Sequence, residues 1–460
     1  MEQLYNSTIA AISTAMSNSG IGIVRMSGPE AFQIADRVYK GKKEKKLCDQ
    51  KSHTIHYGYI VDGEQVIDEV LVMLMRGPHS YTGEDTVEIN CHGGVYVVKR
   101  ILELLIKNGA RPAEPGEYTK RAFLNGRLDL SQAEAVGDLI ASQNEYALQS
   151  SVSQLKGNIK DKISKMREKI LYHTAFIETA LDDPEHISVD DYGETLKKVV
   201  DEIMEAMKRL LDSCDDGRII KEGVRTVILG KPNAGKSSLL NVLLGEDRAI
   251  VTDIAGTTRD VLEEHLNLKG ISLNIMDTAG IRDTEDVVEK IGVDRAKEYA
   301  DKADLILYVI DASRPLDEND AEILHLIKGK RAIILLNKSD LDMQVTKEQE
   351  ELPEEFPVIE ISAKNVQGIE ELEDTLKEMF FQGELTFNDE IYITNVRQKT
   401  ALQDAYAALE RVNDSIAADM PEDFYSIDLM DAYEALGNIT GETIGEDLVN
   451  EIFSKFCMGK

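Results

Sequence analysis

Residues 230–237 read GKPNAGKS, and this stretch decides the fold of the central part of the chain. It matches the pattern G-x-x-x-x-G-K-[ST] and stands between a short apolar run at 226–229 and a helical pattern at 238–244. In that context the glycines let backbone N–H groups surround phosphates at a helix N-terminus. Lys236 supplies a cation to the terminal phosphates, and the Ser237 hydroxyl is a ligand for Mg²⁺. The stretch therefore predicts a phosphate-binding loop between a strand and a helix.

Three further motifs follow in the order expected for a guanine-nucleotide site. DTAG at 277–280 and NKSD at 337–340 each come directly after an apolar strand pattern, and SAK at 362–364 follows the last such pattern. Guanine presents two adjacent donors that one carboxylate can accept, whereas adenine does not, so Asp340 predicts guanine selectivity. An ATPase or a degenerate phosphate-binding loop is the alternative, and the ordered set of four motifs disfavours it.

The domain organisation follows from changes in periodicity. Short apolar runs alternate with helical patterns from 217 to 379, as in a parallel sheet with crossover helices. Helical patterns dominate 121–216 and 380–460, so the α/β segment is predicted to be inserted into a discontinuous helical domain. Residues 1–120 mix both patterns and include a hairpin signal at an Asp-Gly turn. The prediction is a multidomain chain that combines α/β with all-α structure.

The charge limits how the protein can meet nucleic acid. The chain has 52 Lys and Arg against 84 Asp and Glu, a net charge of −32. A protein that grips nucleic acid by itself needs a basic excess to neutralise phosphates, so RNA contact must be local or delivered by a partner. Residues 1–120 are nearly neutral, with 14 basic and 15 acidic side chains. Their lysine cluster is Lys42, Lys43, Lys45 and Lys46, which leaves room for local contact with RNA.

Neither the first residues nor the cysteines suggest a secreted protein. The start lacks the pattern of a secretory signal, and no apolar run of about 18 residues appears, which predicts a cytoplasmic protein. The four cysteines include no C-x-x-C pair, so neither a disulfide framework nor a zinc site is predicted. A structural role for Cys91 is favoured over metal binding.

Four further segments narrow the classification. They are GTTRD at 256–260, Asn233 in the loop, PGEYTKRAFLNG at 115–126 and CMGK at 457–460. With the nucleotide motifs they resemble the MnmE (TrmE) family of tRNA-modification GTPases, over essentially the whole chain. The resemblance implies an N-terminal α+β folate-binding-like domain, which also dimerises, a discontinuous helical domain and an inserted Ras-like P-loop GTPase domain.

The resemblance also implies how GTP is hydrolysed. Ras-like enzymes orient the attacking water with a Gln directly after D-x-x-G, and Ile281 stands at that position. The family implies that Glu289 takes this role, although Glu289 also fits a solvated acidic run. K⁺ would stabilise transition-state charge as an arginine does. The implied ligands are Ser237 and Thr258 for Mg²⁺, and Asn233, Thr252, Ile254 and Thr257 for K⁺.

The same resemblance implies a second chemical site. Its folate contacts would be Arg25, Glu88, Arg127 and Lys460, binding a 5,10-methylene or 5-formyl tetrahydrofolate. Cys457 fits either a nucleophile that adds to C6 of uracil or a small side chain that packs the tail, and both interpretations stay open. The predicted catalytic residues are thus Glu289, Lys236 and Cys457.

The implied activity is K⁺-dependent GTP hydrolysis coupled to tRNA modification. A homodimer would act with an MnmG-type flavoprotein, which binds FAD and NADH, in a heterotetramer or larger complex. Together they would add an aminomethyl or carboxymethylaminomethyl group at C5 of the wobble uridine. A ribosome-assembly GTPase and a purely regulatory switch with a vestigial folate domain are the alternatives.

The predicted GTP-binding residues are Asn233, Ala234, Gly235, Lys236, Ser237, Ser238, Thr252, Asp253, Ile254, Ala255, Gly256, Thr257, Thr258, Asp277, Thr278, Ala279, Gly280, Asn337, Lys338, Asp340, Ser362, Ala363 and Lys364.

Overall fold

The computed structural model describes residues 7–42, 45–183, 185–186, 192–245, 264–268, 270–276, 291–349, 351–381, 393–443, 445–454, 456 and 459. The chain divides into two compact units. Unit 1 is Met1–Ile140, Ser151–Glu205 and Thr400–Lys460, and unit 2 is Ala141–Ser150 and Ala206–Lys399. No helix within the described ranges is both long and apolar enough to cross a membrane.

The strands and helices are as follows. The strands are β1 (Ile9–Ile12), β2 (Ser19–Ser27), β3 (Tyr39–Gly41), β4 (Thr54–Asp62), β5 (Gln65–Met75), β6 (Thr86–Gly93), β7 (Arg111–Pro112), β8 (Val224–Leu229), β9 (Glu264–Leu268), β10 (Ile271–Ile275), β11 (Leu305–Asp311), β12 (Ala332–Asn337) and β13 (Val358–Glu360). The helices are α1 (Ala31–Val38), α2 (Val95–Lys107), α3 (Glu117–Leu124), α4 (Leu130–Ala141), α5 (Glu145–Leu155), α6 (Asn158–Asp182), α7 (Tyr192–Asp212), α8 (Cys214–Glu222), α9 (Lys236–Leu243), α10 (Ile291–Lys302), α11 (Glu318–Ile327), α12 (Ile369–Phe381), α13 (Val396–Ala417), α14 (Glu422–Thr440) and α15 (Glu446–Ser454).

Unit 1 contains a seven-stranded sheet in the order β3-β4-β5-β6-β2-β1-β7. The predicted hairpin is confirmed, because β4 and β5 pair antiparallel and Gly63 has a φ of +63°. Alternate residues such as Val24 and Met26 pack with α1 and α2 in one core. Successive strand residues point to opposite faces, so Arg25, which lies between them, is on the other face of the sheet.

The helices of unit 1 come from both sides of the α/β segment, as predicted. Arg167 of α6 pairs with Glu442, which follows α14, and Asn413 of α13 donates to Asp201 of α7 at 2.8 Å. Within 121–216 the sequence has apolar residues at helical spacing, and the continuous helix that this spacing predicts is interrupted; the residues are Leu155, Ile159, Ile163, Met166, Ile170 and Ile177. α5 ends at Leu155 and α6 begins at Asn158, because Gly157 adopts a φ of +94° that ends the first helix.

Unit 2 contains a six-stranded sheet in the order β13-β12-β11-β8-β10-β9. Its strands are parallel except for the antiparallel pair of β9 with β10. Every residue of β11 is buried, because alternate residues face two different cores. Such double burial explains the continuous apolar runs in the sequence. The carboxyl ends of the parallel strands meet at one edge, where open α/β sheets bind ligands.

The segment 141–150, which runs from the last residue of α4 into the first half of α5, also belongs to unit 2. Asn144 Nδ2 donates to Ser272 Oγ at 2.9 Å and to Ile220 O at 3.2 Å. Ala147 is buried in the core, and the Tyr146 ring is so close that a Cβ on Gly270 would lie 2.8 Å from it. Residues 141–150 are therefore part of the packing of the α/β unit.

Candidate functional site

The phosphate-binding loop predicted from the sequence connects β8 to α9. Gly230 has a φ of +151°, and a Cβ there would lie 2.4 Å from Val309 O of β11. Gly235 has a φ of +101°, and its Cβ would lie 2.0 Å from Asn337 Nδ2. Only glycine fits such close approaches with these dihedral angles. Asn233 also has a positive φ, of +63°, so the loop is compact immediately before the helix N-terminus.

Lys236, the first residue of α9, folds back into the loop. Its Nζ donates to Gly230 O at 2.6 Å and to Lys231 O at 2.9 Å. Burial lowers the pKa of Lys236 from its ordinary value of 10.5, and no carboxylate of the described residues pairs with it. Two carbonyls thus hold the ammonium, and its positive charge can pair with an anion. Ser237 follows it half-buried in the first helical turn, and Ser238 is exposed at the same end.

Asn337, the first residue of the NKSD motif, joins two loops. Its side chain is buried, Nδ2 donates to Ala234 O at 2.8 Å, and Oδ1 accepts from Ala363 N–H at 3.1 Å. The side chain thereby ties the phosphate-binding loop to the loop that follows β13. These predicted site residues therefore converge at the carboxyl edge of the sheet.

Lys338 is positioned by a residue that is not among those predicted from the sequence. Lys338 Nζ donates to Asp311 Oδ2 at 2.6 Å, while Asp311 Oδ1 accepts from Ser313 N–H and Oγ. Burial alone would raise the pKa of Asp311, but the hydrogen bonds from Lys338 and Ser313 outweigh it and hold that pKa below its ordinary value. The sequence feature that could have indicated Asp311 is its position as the last residue of an apolar strand, at the carboxyl edge of the sheet.

Asp340 is an exposed carboxylate whose orientation is set by Ser362. Ser362 Oγ donates to Asp340 Oδ1 at 2.7 Å and accepts from Asn365 N–H at 3.2 Å. Ser362 is fully buried, whereas Lys364 is exposed. The geometry leaves the Asp340 carboxylate directed and accessible, as recognition of two adjacent donors requires.

Several predicted site residues lie outside the described residues. They are Thr252, Asp253, Ile254, Ala255, Gly256, Thr257, Thr258, Asp277, Thr278, Ala279, Gly280, Glu289, Cys457 and Lys460.

In unit 1 the predicted residues Arg25 and Glu88 face each other across β2 and β6. They are register partners, and Arg25 Nε donates to Glu88 Oε1 at 2.7 Å. The Arg25 guanidinium lies 5.7 Å from the ring centroid of Tyr81 and 5.6 Å from that of Tyr118. Tyr118 also donates its hydroxyl to Arg25 O at 2.7 Å. The structure thus brings two predicted folate contacts together and lines them with aromatic rings.

Arg127, the third predicted contact, joins this cluster through Tyr81. The Arg127 guanidinium lies 5.1 Å from the Tyr81 ring centroid, and burial raises the pKa of the Tyr81 hydroxyl. Gly459 O accepts from Arg25 Nη1 at 3.4 Å and from Ser13 Oγ at 3.2 Å. The penultimate residue of the chain therefore lies beside Arg25. Tyr81 is not among the residues predicted from the sequence. The feature that could have indicated it is an aromatic residue within a polar loop.

The PGEYTKR stretch at 115–121 contributes a buried charge network rather than an exposed site. Glu117 and Arg121 of α3 are paired at 2.9 Å, and each is about 4% exposed. Arg121 also pairs with Glu84 at 3.0 Å, and Glu117 accepts from Arg111. Burial would raise the pKa of Glu117, but the hydrogen bonds from Arg111, the Glu114 N–H and Arg121 hold it below its ordinary value. This network anchors the helix that carries Tyr118.

The chain matches two protein families. Residues 8–127 match the family described as GTP-binding protein TrmE N-terminus, and residues 130–457 match the MnmE helical domain. The tRNA modification GTPase MnmE of Lachnoclostridium phytofermentans is 58% identical over 454 residues, which cover 98% of this chain and 99% of that protein. The tRNA modification GTPase MnmE of Acetivibrio thermocellus is 52% identical over 456 residues, again covering 98% and 99%.

Solved structures match a smaller part of the chain. A crystal structure of Aquifex aeolicus Era bound to GDP and AlF4⁻ is 31% identical, with a TM-score of 0.27, and the match covers 40% of this chain and 66% of that one. The G domain of the T. maritima FeoB iron transporter is 25% identical, with a TM-score of 0.26, covering 34% and 97%.

Proposed function

The chain belongs to the MnmE family, and on that premise we propose that it is a GTP hydrolase that acts in tRNA modification. The Asn337 bridge is the observation that carries the proposal, because it joins the phosphate-binding loop to the loop that would read guanine. Lys236 would contact the terminal phosphates and Ser237 would bind Mg²⁺. Asp340, held by Ser362, would accept the two guanine donors.

Base selectivity is tested by Asp340→Asn. An amide keeps one acceptor but replaces the other with a donor, which suits xanthine because its O2 is an acceptor where guanine has an amino group. The variant should bind XTP more tightly than GTP, whereas the unaltered protein should prefer GTP. Equal preference for GTP in both proteins would contradict the assignment of Asp340.

We assign K⁺ to the same site as an electrostatic aid to hydrolysis. The Asn233 side chain offers an oxygen ligand from an exposed part of the loop, which is the donor chemistry a hard cation takes. Thr252, Ile254 and Thr257 would supply the others, Thr258 would complete the Mg²⁺ site, and Glu289 would orient water. GTP turnover in KCl should exceed turnover in NaCl at equal ionic strength, and Asn233→Ala should abolish the difference. Equal rates for the unaltered protein in the two salts would refute the K⁺ role.

The Arg25 cluster supports binding of a tetrahydrofolate. One Glu88 oxygen holds Arg25, and within the described part of the chain the other makes no hydrogen bond, so it is available to donors on a pterin edge. The Tyr81 ring between Arg25 and Arg127 offers a flat contact, and Lys460 would add a cation. Calorimetric titration with 5-formyl-tetrahydrofolate should show binding that Glu88→Gln weakens. Glu103→Gln, on the exposed side of α2, is the matched control.

With an MnmG-type flavoprotein carrying FAD and NADH, the homodimer would modify C5 of the tRNA wobble uridine in the cytoplasm. The folate would supply carbon, and glycine or ammonium would supply the amine. Deleting the gene and measuring wobble uridines by mass spectrometry tests this role, since unchanged nucleosides would exclude it. Full modification by a Cys457→Ser protein would exclude Cys457 as the nucleophile.

The sheet face that carries Arg25 supports the homodimer. On its β4–β5 part the register pair Tyr57 and Leu71 is 40% and 47% exposed, and Ile55 is 61% exposed. Exposed apolar side chains in contiguous positions mark interaction surfaces. Leu71→Lys should shift the sedimentation coefficient toward that of a monomer.

We also propose domain boundaries at 120, 216 and 379, which limited proteolysis followed by mass measurement would test.

A further inference from the structure

Lys231, the second residue of the phosphate-binding loop, pairs through its side chain with two aspartates at the start of α11. Its Nζ donates to Asp317 Oδ2 at 2.8 Å and to Asp320 Oδ2 at 2.6 Å. Asp320 is only 1% exposed, so this is a partly buried ion pair rather than a surface one. The position is one of the unspecified x residues in the G-x-x-x-x-G-K-[ST] pattern, so the motif assigns it no role.

The two carboxylates are themselves firmly held. Asp317 caps α11, because its side chain accepts from Asn319 N–H and Asp320 N–H. Asp320 Oδ1 accepts from Tyr308 OH of β11 at 2.7 Å, and its Oδ2 accepts from Asp317 N–H at 3.0 Å. The anchor for Lys231 is therefore a helix N-terminus joined to the central strand.

The main chain of the same residue contacts the ammonium of Lys236. The carbonyls of Gly230 and Lys231 accept from Lys236 Nζ. Gly230 is fixed on its other side by its close approach to Val309 O. The direction of the Lys236 side chain thus depends on where these two carbonyls lie. One of them belongs to the residue that the aspartates hold.

We propose that Lys231 is a positioning residue, which acts through its ion pairs with Asp317 and Asp320 to hold the loop carbonyls that direct Lys236 at the β- and γ-phosphates. The proposal rests on the proposed function, since it requires that the loop bind GTP. It predicts that the N-terminus of α11, outside the sequence motifs, sets the strength of phosphate binding.

The test compares nucleotides that differ only in their phosphates. The Lys231→Met protein should bind GDP and GTP about tenfold more weakly, the loss expected for one charge-assisted hydrogen bond. Its affinity for GMP, which lacks the β-phosphate, should be unchanged, so the ratio of GDP to GMP affinity falls. Asp317→Asn, which retains the helix cap but removes the charge, should lower the ratio in the same direction.

Lys330→Met is the matched control for a merely structural effect. It removes an ion pair of similar exposure, with Asp301, from a lysine that follows the C-terminus of α11, so it should lower the melting temperature and leave the GDP to GMP ratio unchanged. A Lys231→Met protein with a lower melting temperature but an unaltered ratio would overturn the proposal, as would unaltered affinities. If the unaltered protein binds no guanine nucleotide, the proposed function fails instead.

Discussion

Replacement of Ser362 by alanine tests whether the orientation of Asp340 determines nucleotide recognition. The substitution removes the hydroxyl that donates to Asp340 Oδ1 at 2.7 Å and accepts from Asn365 N–H. It leaves the Asp340 charge in place, and Ala363 can still donate to Asn337, so the bridge between the loops is retained. The change therefore affects the direction of one carboxylate without removing a ligand.

The size of the effect follows from the exposure of the two partners. Hydrogen bonds to charged groups contribute about 1.5–3 kcal/mol. Ser362 is fully buried but Asp340 is exposed, so solvent screens the interaction and we discount it to about 1 kcal/mol. At 25 °C this corresponds to a loss of about fivefold in affinity for GDP and GTP.

The assay is competition between guanine and hypoxanthine nucleotides for the unaltered and Ser362→Ala proteins. Hypoxanthine lacks the 2-amino donor, so a misdirected carboxylate should discriminate less between GDP and IDP. Ser339→Ala, in the same motif, is the control and should change neither affinity nor discrimination. If Ser362→Ala keeps both at the unaltered values while folding normally, Ser362 does not orient Asp340 for recognition.

Three further outcomes concern stability. Arg121→Met should lower the free energy of unfolding by about 3–5 kcal/mol, because it removes the buried partner of both Glu117 and Glu84. Arg111→Met, at a more exposed position, should cost less in the same urea titration. The pKa of Glu117 in the folded state lies below its ordinary value of 4.5, so its ionisation stabilises the fold above about pH 4.5 and that contribution is lost as the pH falls through the lower native value. Unfolding followed by circular dichroism should therefore show a shallower acid loss for Glu117→Gln. Asn144→Ala should cost about 1–2 kcal/mol, because the side chain caps α5 through Ala147 N–H at 2.7 Å, and thermal unfolding would measure it.

Features with a local signature were predictable from the sequence. Glycines indicate the phosphate-binding loop, because no other residue easily adopts the positive φ angles of Gly230 and Gly235. An Asp-Gly turn indicates the hairpin at Gly63. The continuous apolar run of β11 indicates burial on both faces. Each of these patterns depends only on neighbours within a few positions in the chain.

Features that depend on distant pairs were not predictable. Asp311 contacts Lys338, and Gly459 lies beside Arg25. The sequence around each of these residues does not indicate which distant residue it contacts. The break at Gly157 was missed because the apolar spacing continues across it while the backbone does not. Hydrophobic periodicity and charge patterns therefore predict individual helices and strands. They do not predict which side chains of different helices and strands contact each other.

The placement of residues 141–150 has a consequence for fragment work. These residues precede the α/β segment in sequence, yet Ala147 is part of its core and Asn144 is bound to Ser272. A fragment cut at 217 and 379 would lack them and would leave apolar surface uncovered near the β9–β10 hairpin. Residues outside the α/β segment therefore complete its core. The excised segment is an incomplete domain, so its GTP turnover and its stability would not represent those of the α/β unit in the full chain.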